Sequence, residues 1–190
     1  RRIFANLRRS FSYLISFHIP VILLAMIPPF LGWPQLLEPV HIILLELIVH
    51  PISAFTFENI KDPNLKKNPG GSLLTKRQFV EAAWPGLMVS LGALWLFNQN
   101  LSSVEIARST ALATLLFGNA SFVLIQIYPQ ISLRFLATEA ILCGGGLALV
   151  TTDRLADFFH LGVLNIHQLW LPLLTAAIAF IPSLFKRKIS

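Results

Sequence analysis

The sequence predicts an all-α membrane protein, a polytopic bundle of six transmembrane helices. Of its 190 residues, 55% are hydrophobic and only 13% are charged, and the mean hydropathy is +0.68. Soluble domains contain about 25% charged residues, so this composition excludes soluble enzymes and disordered chains. The apolar residues form runs near the roughly 20 residues that cross a bilayer. The 15 Lys and Arg residues cluster in the short segments between these runs, which is typical of membrane proteins.

Proline, glycine and polar segments set the ends of the first three predicted spans. The first apolar run ends at Pro28-Pro29 and Gly32-Trp33-Pro34, which predict a short external turn because a helix interior rarely tolerates so much proline. A polar segment rich in proline and glycine follows the second run, and polar residues end the third. The predicted spans are residues 11–31, 39–57 and 80–97.

The last three spans are bounded in the same way. A Tyr128-Pro129 pair ends the fourth, and a basic tail at residues 186–188 ends the sixth. The fifth contains Gly144-Gly145-Gly146, which predicts close helix packing because a phosphate-binding loop would not lie within a span. These spans are residues 107–128, 133–152 and 164–184, so the whole chain forms one domain, residues 1–190.

The basic residues predict the orientation of the bundle. With six spans, both termini lie on one side, and this side collects all the Lys and Arg residues except Arg108 and Arg154. Basic loops stay in the cytoplasm, so both termini and the 58–78 loop are expected there. We expect a multi-pass protein of the plasma membrane.

Ionisable residues inside the spans are the candidate functional groups, because each costs about 2.5–3.5 kcal/mol on insertion scales. Glu46 and His50 are four residues apart and share a helix face. Pro51 should break the helix beside them, and Pro20 should do the same beside His18. Broken helices next to a carboxylate form ion sites in many transporters. The alternative is a buried Glu–His pair that only fixes helix packing.

For two further polar residues in the spans, the evidence for a functional role is weaker. Asn119 either supplies an oxygen to a cation or hydrogen-bonds across helices. Glu139 is expected near the cytoplasmic end of its span, within reach of the interface. The chain has no phosphate-binding loop, dinucleotide fingerprint or zinc-protease motif, so we expect no catalytic residue in it, no cofactor bound by it, and no nucleic-acid partner.

Several segments resemble the C-terminal membrane half of P-type cation-transporting ATPases, helices five to ten of their ten-helix core. The start RRIFANLRRSFSYLIS is similar to the basic start of helix five, and LGWPQLLEPVHIILLELIVHPISAFTFE to the external turn and helix six of calcium-type pumps. ENIKDPNLKKNPGG resembles the loop between helices six and seven. TDRLADFFHLGVLNIHQLWLPLL is similar to the connection into helix ten.

The resemblance also implies a cation site, with candidate ligands Glu46, His50, His18 and Asn119. The positions that match the ion ligands of calcium-type pumps are His18 and Val21 in helix five, Glu46, Val49 and His50 in helix six, and Asn119 in helix eight. Calcium requires six to eight oxygen ligands, so a calcium pump is disfavoured. Histidine with one carboxylate suits a proton or a transition metal better.

By this resemblance, the chain is the ion-binding part of an ATP-driven pump. It begins with Arg1-Arg2, and we interpret it as a fragment whose partners are the transported cation, the lipid bilayer and the N-terminal half of the same pump. ATP and Mg²⁺ would act through upstream domains, so the fragment alone should be catalytically inert. The alternatives are an ATP-independent membrane transporter and an accessory or decayed pump fragment without its own activity.

Overall fold

A computed structural model describes residues 2–58, 74–127 and 131–187, and these residues form helices and connecting turns without a β-strand. The predicted all-α fold class is confirmed. The helices, in chain order, are α1 (Arg2–Phe30), α2 (Pro39–Leu44), a π-helical turn (Leu45–Val49), α3 (His50–Glu58), α4 (Lys76–Gln99), α5 (Val104–Ile127), α6 (Leu133–Thr151), α7 (Asp153–Phe158), a 3₁₀ turn (Ile166–Gln168) and α8 (Trp170–Arg187).

Four helices are long and apolar enough to cross a membrane. They are Asn6–Phe30 within α1, and the whole of α4, α5 and α6, which correspond to the first, third, fourth and fifth predicted spans. The second predicted span is a broken helix, made of α2, the π-helical turn and α3. The sixth predicted span corresponds mainly to α8. The regions of the second and the sixth predicted spans contain shorter apolar helices, of 10–17 residues. The exact bounds of the six spans stay a prediction.

Helix α5 lies at the centre of the bundle and contacts α1, α3, α4, α6 and α8. Its buried face combines larger apolar residues with Ala, Ser, Thr and Gly, small residues that let helices approach closely in a membrane. The hydroxyls do not remain unpaired. Ser109 Oγ donates to the Glu105 carbonyl at 2.9 Å, and Thr114 Oγ1 to the Thr110 carbonyl at 2.8 Å. Polar atoms therefore enter the core without losing their hydrogen bonds.

The contact between α1 and α4 depends on one glycine. Pro20 has no N–H, so it cannot donate to the Ser16 carbonyl as a helical residue normally would. Gly86 of α4 packs directly over this position, where a Cβ atom would collide with the Ser16 carbonyl and lie 3.1 Å from Pro20 Cδ. Close by, Ser16 Oγ donates to the Ala82 carbonyl at 2.6 Å. The two helices are thus joined beside Pro20, although α1 continues as a helix through this residue and the predicted break is not formed.

Replacing this glycine should separate the helices. We expect Gly86→Ala to lower stability by about 1–3 kcal/mol, the usual cost of overpacking, since the added methyl group meets backbone atoms. The thermal unfolding midpoint of the detergent-purified full-length protein measures the effect. Gly144→Ala is the matched control, because a Cβ there has nothing within 4 Å. Equal midpoints for the two variants would contradict the proposed close contact.

Candidate cation site

The helix formed by α2 and α3 is broken at the residues that carry the predicted site. Residues Leu45–Val49 form a π-helical turn, and the His50 amide donates to the Leu45 carbonyl, five residues back. Pro51 has no N–H with which to continue either an α-helical or a π-helical pattern. Single π-helical turns are rare and occur frequently at functional sites. The predicted break beside His50 is therefore present, and it takes the form of a widened turn that contains Glu46.

This turn brings three predicted ligands together. The Glu46 Oε2 atom lies 3.5 Å from His18 Nε2 and 3.5 Å from His50 Nδ1. One donor atom from each side chain lies within 4.8 Å of the other two. We call His18, Glu46 and His50 the His–Glu–His cluster. His18 comes from α1, which continues as a helix through Pro20, so the break predicted beside His18 is not formed. Glu46 and His50 come from the widened turn of the second helix, and the cluster therefore joins two helices.

The neighbouring groups fix the orientation of both imidazoles. His18 Nδ1 lies 2.9 Å from the Leu14 carbonyl oxygen, and since a carbonyl only accepts, this nitrogen carries the proton. The His50 ring stacks on Phe17 and Tyr13, with centroid distances of 5.3 and 5.8 Å. The cluster is only half-buried: 37% of the His18 side chain, 30% of Glu46 and 20% of His50 remain exposed.

Asn119, the fourth predicted ligand, belongs to a separate polar chain. Tyr13 Oη donates to Asn119 Oδ1 at 2.7 Å, and Asn119 Nδ2 donates to Ser53 Oγ at 3.0 Å. These bonds connect α1, α3 and α5 inside the core, where Tyr13 and Ser53 are fully buried. Sequence reasoning missed Tyr13, for which the only signal was a hydroxyl within an apolar run.

Glu139 occupies a different environment from the expected one. Its side chain is buried with 6% exposed, so it does not reach the interface. Neither carboxyl oxygen has a hydrogen-bond partner within the part of the chain that the structure describes. Of the three neighbouring glycines expected to allow close packing, Gly146 does so, since a Cβ there would collide with Leu116, whereas Gly144 and Gly145 face open space.

A second cluster of charged residues connects the loops at one end of the bundle. Glu38 pairs with Arg108 at 2.7 Å and with His160 at 2.5 Å. His41 Nε2 donates to the Phe159 carbonyl at 2.6 Å. The Glu38 pKa is lowered from 4.5, chiefly by the His160 hydrogen bond and also by the positive charge of Arg108. The sequence had assigned Arg108 to the external side but had not identified its partners.

The backbone at His160 is adapted to this contact. Helix α7 ends with the Leu161 amide on the Ala156 carbonyl and the His160 amide on the Asp157 carbonyl, a Schellman motif. His160 takes the left-handed position, with φ of 51°, where glycine is usual and other residues pay about 1–2 kcal/mol. This backbone position brings the His160 ring against the Glu38 carboxylate.

The described part of the chain is, as a class, a helical membrane domain with a carboxylate and two imidazoles clustered between two of its helices. A family model described as "Cation transporting ATPase, C-terminus" matches residues 34–189, and the chain belongs to this family. The match includes Glu46, His50 and Asn119, and begins after His18. This family match confirms the resemblance drawn from the sequence. A comparison with curated proteins finds no match.

The Glu38 contacts predict a dependence of stability on pH. Because the folded protein lowers the Glu38 pKa, the contacts stabilise the fold above the ordinary pKa of 4.5 and are lost as the pH falls through the lowered value. The unfolding midpoint should therefore decrease at acidic pH. Glu38→Gln should lower the midpoint at pH 7 by about 2–4 °C, equivalent to roughly 1 kcal/mol, and weaken the acid dependence.

Three charged or titratable groups face Glu38: Arg108, His160 and His41. Because more than one group can contribute to the pH dependence, the unfolding midpoint is measured over the whole pH range for each variant. Glu105→Gln is the matched control, since Glu105 is an exposed carboxylate that bonds only to Ser103 among the described side chains. If the two variants have the same acid profile, Glu38 does not carry this dependence.

Proposed function

We propose that this chain is the cation-binding membrane half of an ATP-driven pump, and that His18, Glu46 and His50 bind the transported cation. The observation that carries the proposal is the convergence of these three side chains, one from beside Pro20 in α1 and two from the π-helical turn of the second helix. Carboxylates are rare within membrane spans and mark ion pathways. Broken helices place such groups at mid-membrane, where alternating access can act on them.

The energy for transport would come from outside this chain. Upstream domains of the same pump would bind ATP and Mg²⁺ and carry the phosphorylation, while residues of this chain bind and release the cation. No catalytic residue is proposed here. Movement of α1 relative to the π-helical turn would change the distance between His18 and Glu46, because these ligands lie on separate helices. This gives the upstream domains a way to alter the affinity for the cation.

The composition of the cluster argues against calcium as the cargo. One carboxylate and two imidazoles supply few of the six to eight oxygens that calcium takes. Val21 and Val49, which match ligand positions of calcium-type pumps, are buried among apolar residues with 7% and 4% exposed. They have no side-chain oxygen to offer.

We further propose that both termini and the 58–78 loop are cytoplasmic, in the plasma membrane. The contacts of Glu38 support this orientation, because they join three segments that the charge pattern places together on the external side. Glu38 precedes α2, Arg108 lies near the start of α5, and His160 follows α7. Only two basic residues of the chain, Arg108 and Arg154, belong to this end by the charge pattern.

Cysteine labelling tests this orientation. In a Cys143→Ala background, a membrane-impermeant maleimide applied to intact cells should label Ser102→Cys, which lies between α4 and α5. Lys76→Cys, at the start of α4, should react only after permeabilisation. Both positions are exposed. Labelling of Lys76→Cys in intact cells would reverse the proposed orientation.

Substitution of the central carboxylate tests the site. In the full-length protein, Glu46→Gln should reduce ATP-dependent cation uptake into vesicles by more than about tenfold, a loss of at least roughly 1.4 kcal/mol in cation binding. The amide keeps the shape but removes the charge. Glu81→Gln is the matched control, because Glu81 pairs with Arg77 at the surface of α4 and should leave uptake unchanged.

The same assay addresses the two alternatives. Uptake that continues without ATP would favour an ATP-independent transporter. Normal ATP-dependent uptake by Glu46→Gln, with normal insertion, would show that the site is assigned wrongly. Absence of uptake and of ATP-dependent phosphorylation in the unaltered protein would favour an accessory or decayed fragment.

A further inference from the structure

We infer that the cation bound by the His–Glu–His cluster is a divalent first-row transition metal, which the protein holds with two imidazole nitrogens and one carboxylate oxygen. This inference rests on the proposed function and adds the chemical class of the cargo. It is argued from the donor set, the distances between donors, the tautomer of His18 and the open side of the cluster.

The donor set distinguishes among cations. Imidazole suits iron, cobalt, nickel, copper and zinc, whereas magnesium and calcium prefer oxygen alone. Monovalent copper favours thiolate and thioether sulfur, and the cluster contains neither. Two neutral histidines and one carboxylate carry a single negative charge, so a divalent ion leaves a net charge of only +1 at the site. Two His and one carboxylate with open positions is a ligand set that many transition-metal proteins use.

The distances between donors fit a small metal ion. Ligands at the zinc–nitrogen distance of about 2.0–2.1 Å lie roughly 3.3–3.4 Å apart in a tetrahedron. Glu46 Oε2 lies 3.5 Å from a nitrogen of each histidine, close to this spacing. All three donor atoms lie within 4.8 Å of one another, so a single ion can lie within reach of all three.

The tautomer of His18 leaves a lone pair in the right place. Since Nδ1 donates to the Leu14 carbonyl, the neutral ring has an unprotonated Nε2, and this atom faces Glu46 Oε2. A metal ion between these two atoms would take up the Nε2 lone pair and the carboxylate oxygen together. Metal-ligating histidines commonly donate their other ring N–H to a carbonyl, which fixes the tautomer and the ring orientation. Leu14 provides this contact here.

The cluster is also open to an exchangeable ligand. Three protein ligands leave at least one coordination position free, as in metal sites that bind water or a substrate. A closed four-ligand site would hold its metal as a structural element, whereas a transported ion must enter and leave.

Cobalt spectroscopy on the full-length protein tests the inference. Co²⁺ with imidazole ligands in a four- or five-coordinate site gives strong visible d–d absorption, and at all-oxygen octahedral sites it absorbs only weakly. We expect the purified protein to gain this absorption with one equivalent of Co²⁺, and to lose it on addition of Zn²⁺ but not of excess Ca²⁺. His18→Ala and His50→Ala should each weaken Co²⁺ binding by more than about tenfold.

His167→Ala is the matched control, since His167 lies in the exposed 3₁₀ turn far along the chain and should leave the spectrum unchanged. His50→Asn provides a second variant if the alanine variants aggregate in size-exclusion chromatography. A measurement on the unaltered protein complements these variants: its ATP hydrolysis should be stimulated by Zn²⁺ or Co²⁺ at concentrations where Ca²⁺ has no effect.

The outcomes separate this inference from the proposed function. If Glu46→Gln abolishes uptake while no histidine-dependent Co²⁺ spectrum forms, the pump assignment stands and the transition-metal inference is overturned. Stimulation by Ca²⁺ alone or by protons alone overturns it as well. If Glu46→Gln transports normally, the site itself is wrong and both proposals fall.

Discussion

A bilayer offers no water to the polar groups of a protein, so each polar group needs a partner inside the fold. This constraint explains where the polar residues of the bundle lie. The hydroxyls of α5 donate to carbonyls of their own helix. Ser16 donates to α4 beside the carbonyl that Pro20 leaves without its usual partner. The carbonyl that Pro20 leaves free and the π-helical turn with Glu46 both lie where α1 meets another helix, and the candidate ligands meet at the second of these contacts.

The buried polar chain supports the cluster without belonging to it. Tyr13, Asn119 and Ser53 connect α1, α5 and α3 through two hydrogen bonds. Tyr13 precedes His18 by slightly more than one helical turn, and Ser53 follows His50 by slightly less than one. The bonds therefore fix the helices that carry both imidazoles, and the Tyr13 ring also stacks on His50. Asn119 hydrogen-bonds across helices in this arrangement, which is one of the two roles that the sequence allowed for it.

Local patterns predicted much of the fold. Proline and glycine positions placed the turn after α1 and the break beside His50, because these residues restrict the backbone wherever they occur. The i,i+4 spacing predicted that Glu46 and His50 would share a face. Glu139 was misjudged for a physical reason: its depth along α6 could be estimated from the sequence, but the direction that its side chain faces could not.

The sequence by itself determined an all-helical membrane bundle, the family and the pairing of Glu46 with His50, since each depends on composition or on neighbours within one helix. Only the tertiary structure decided that His18 reaches Glu46, that Asn119 turns to Tyr13 and Ser53, and that Glu38 joins Arg108 and His160. These contacts depend on the rotation and crossing of separate helices. In a lipid-exposed bundle both the core face and the lipid face of a helix are apolar, so the hydrophobic pattern does not encode which residues meet.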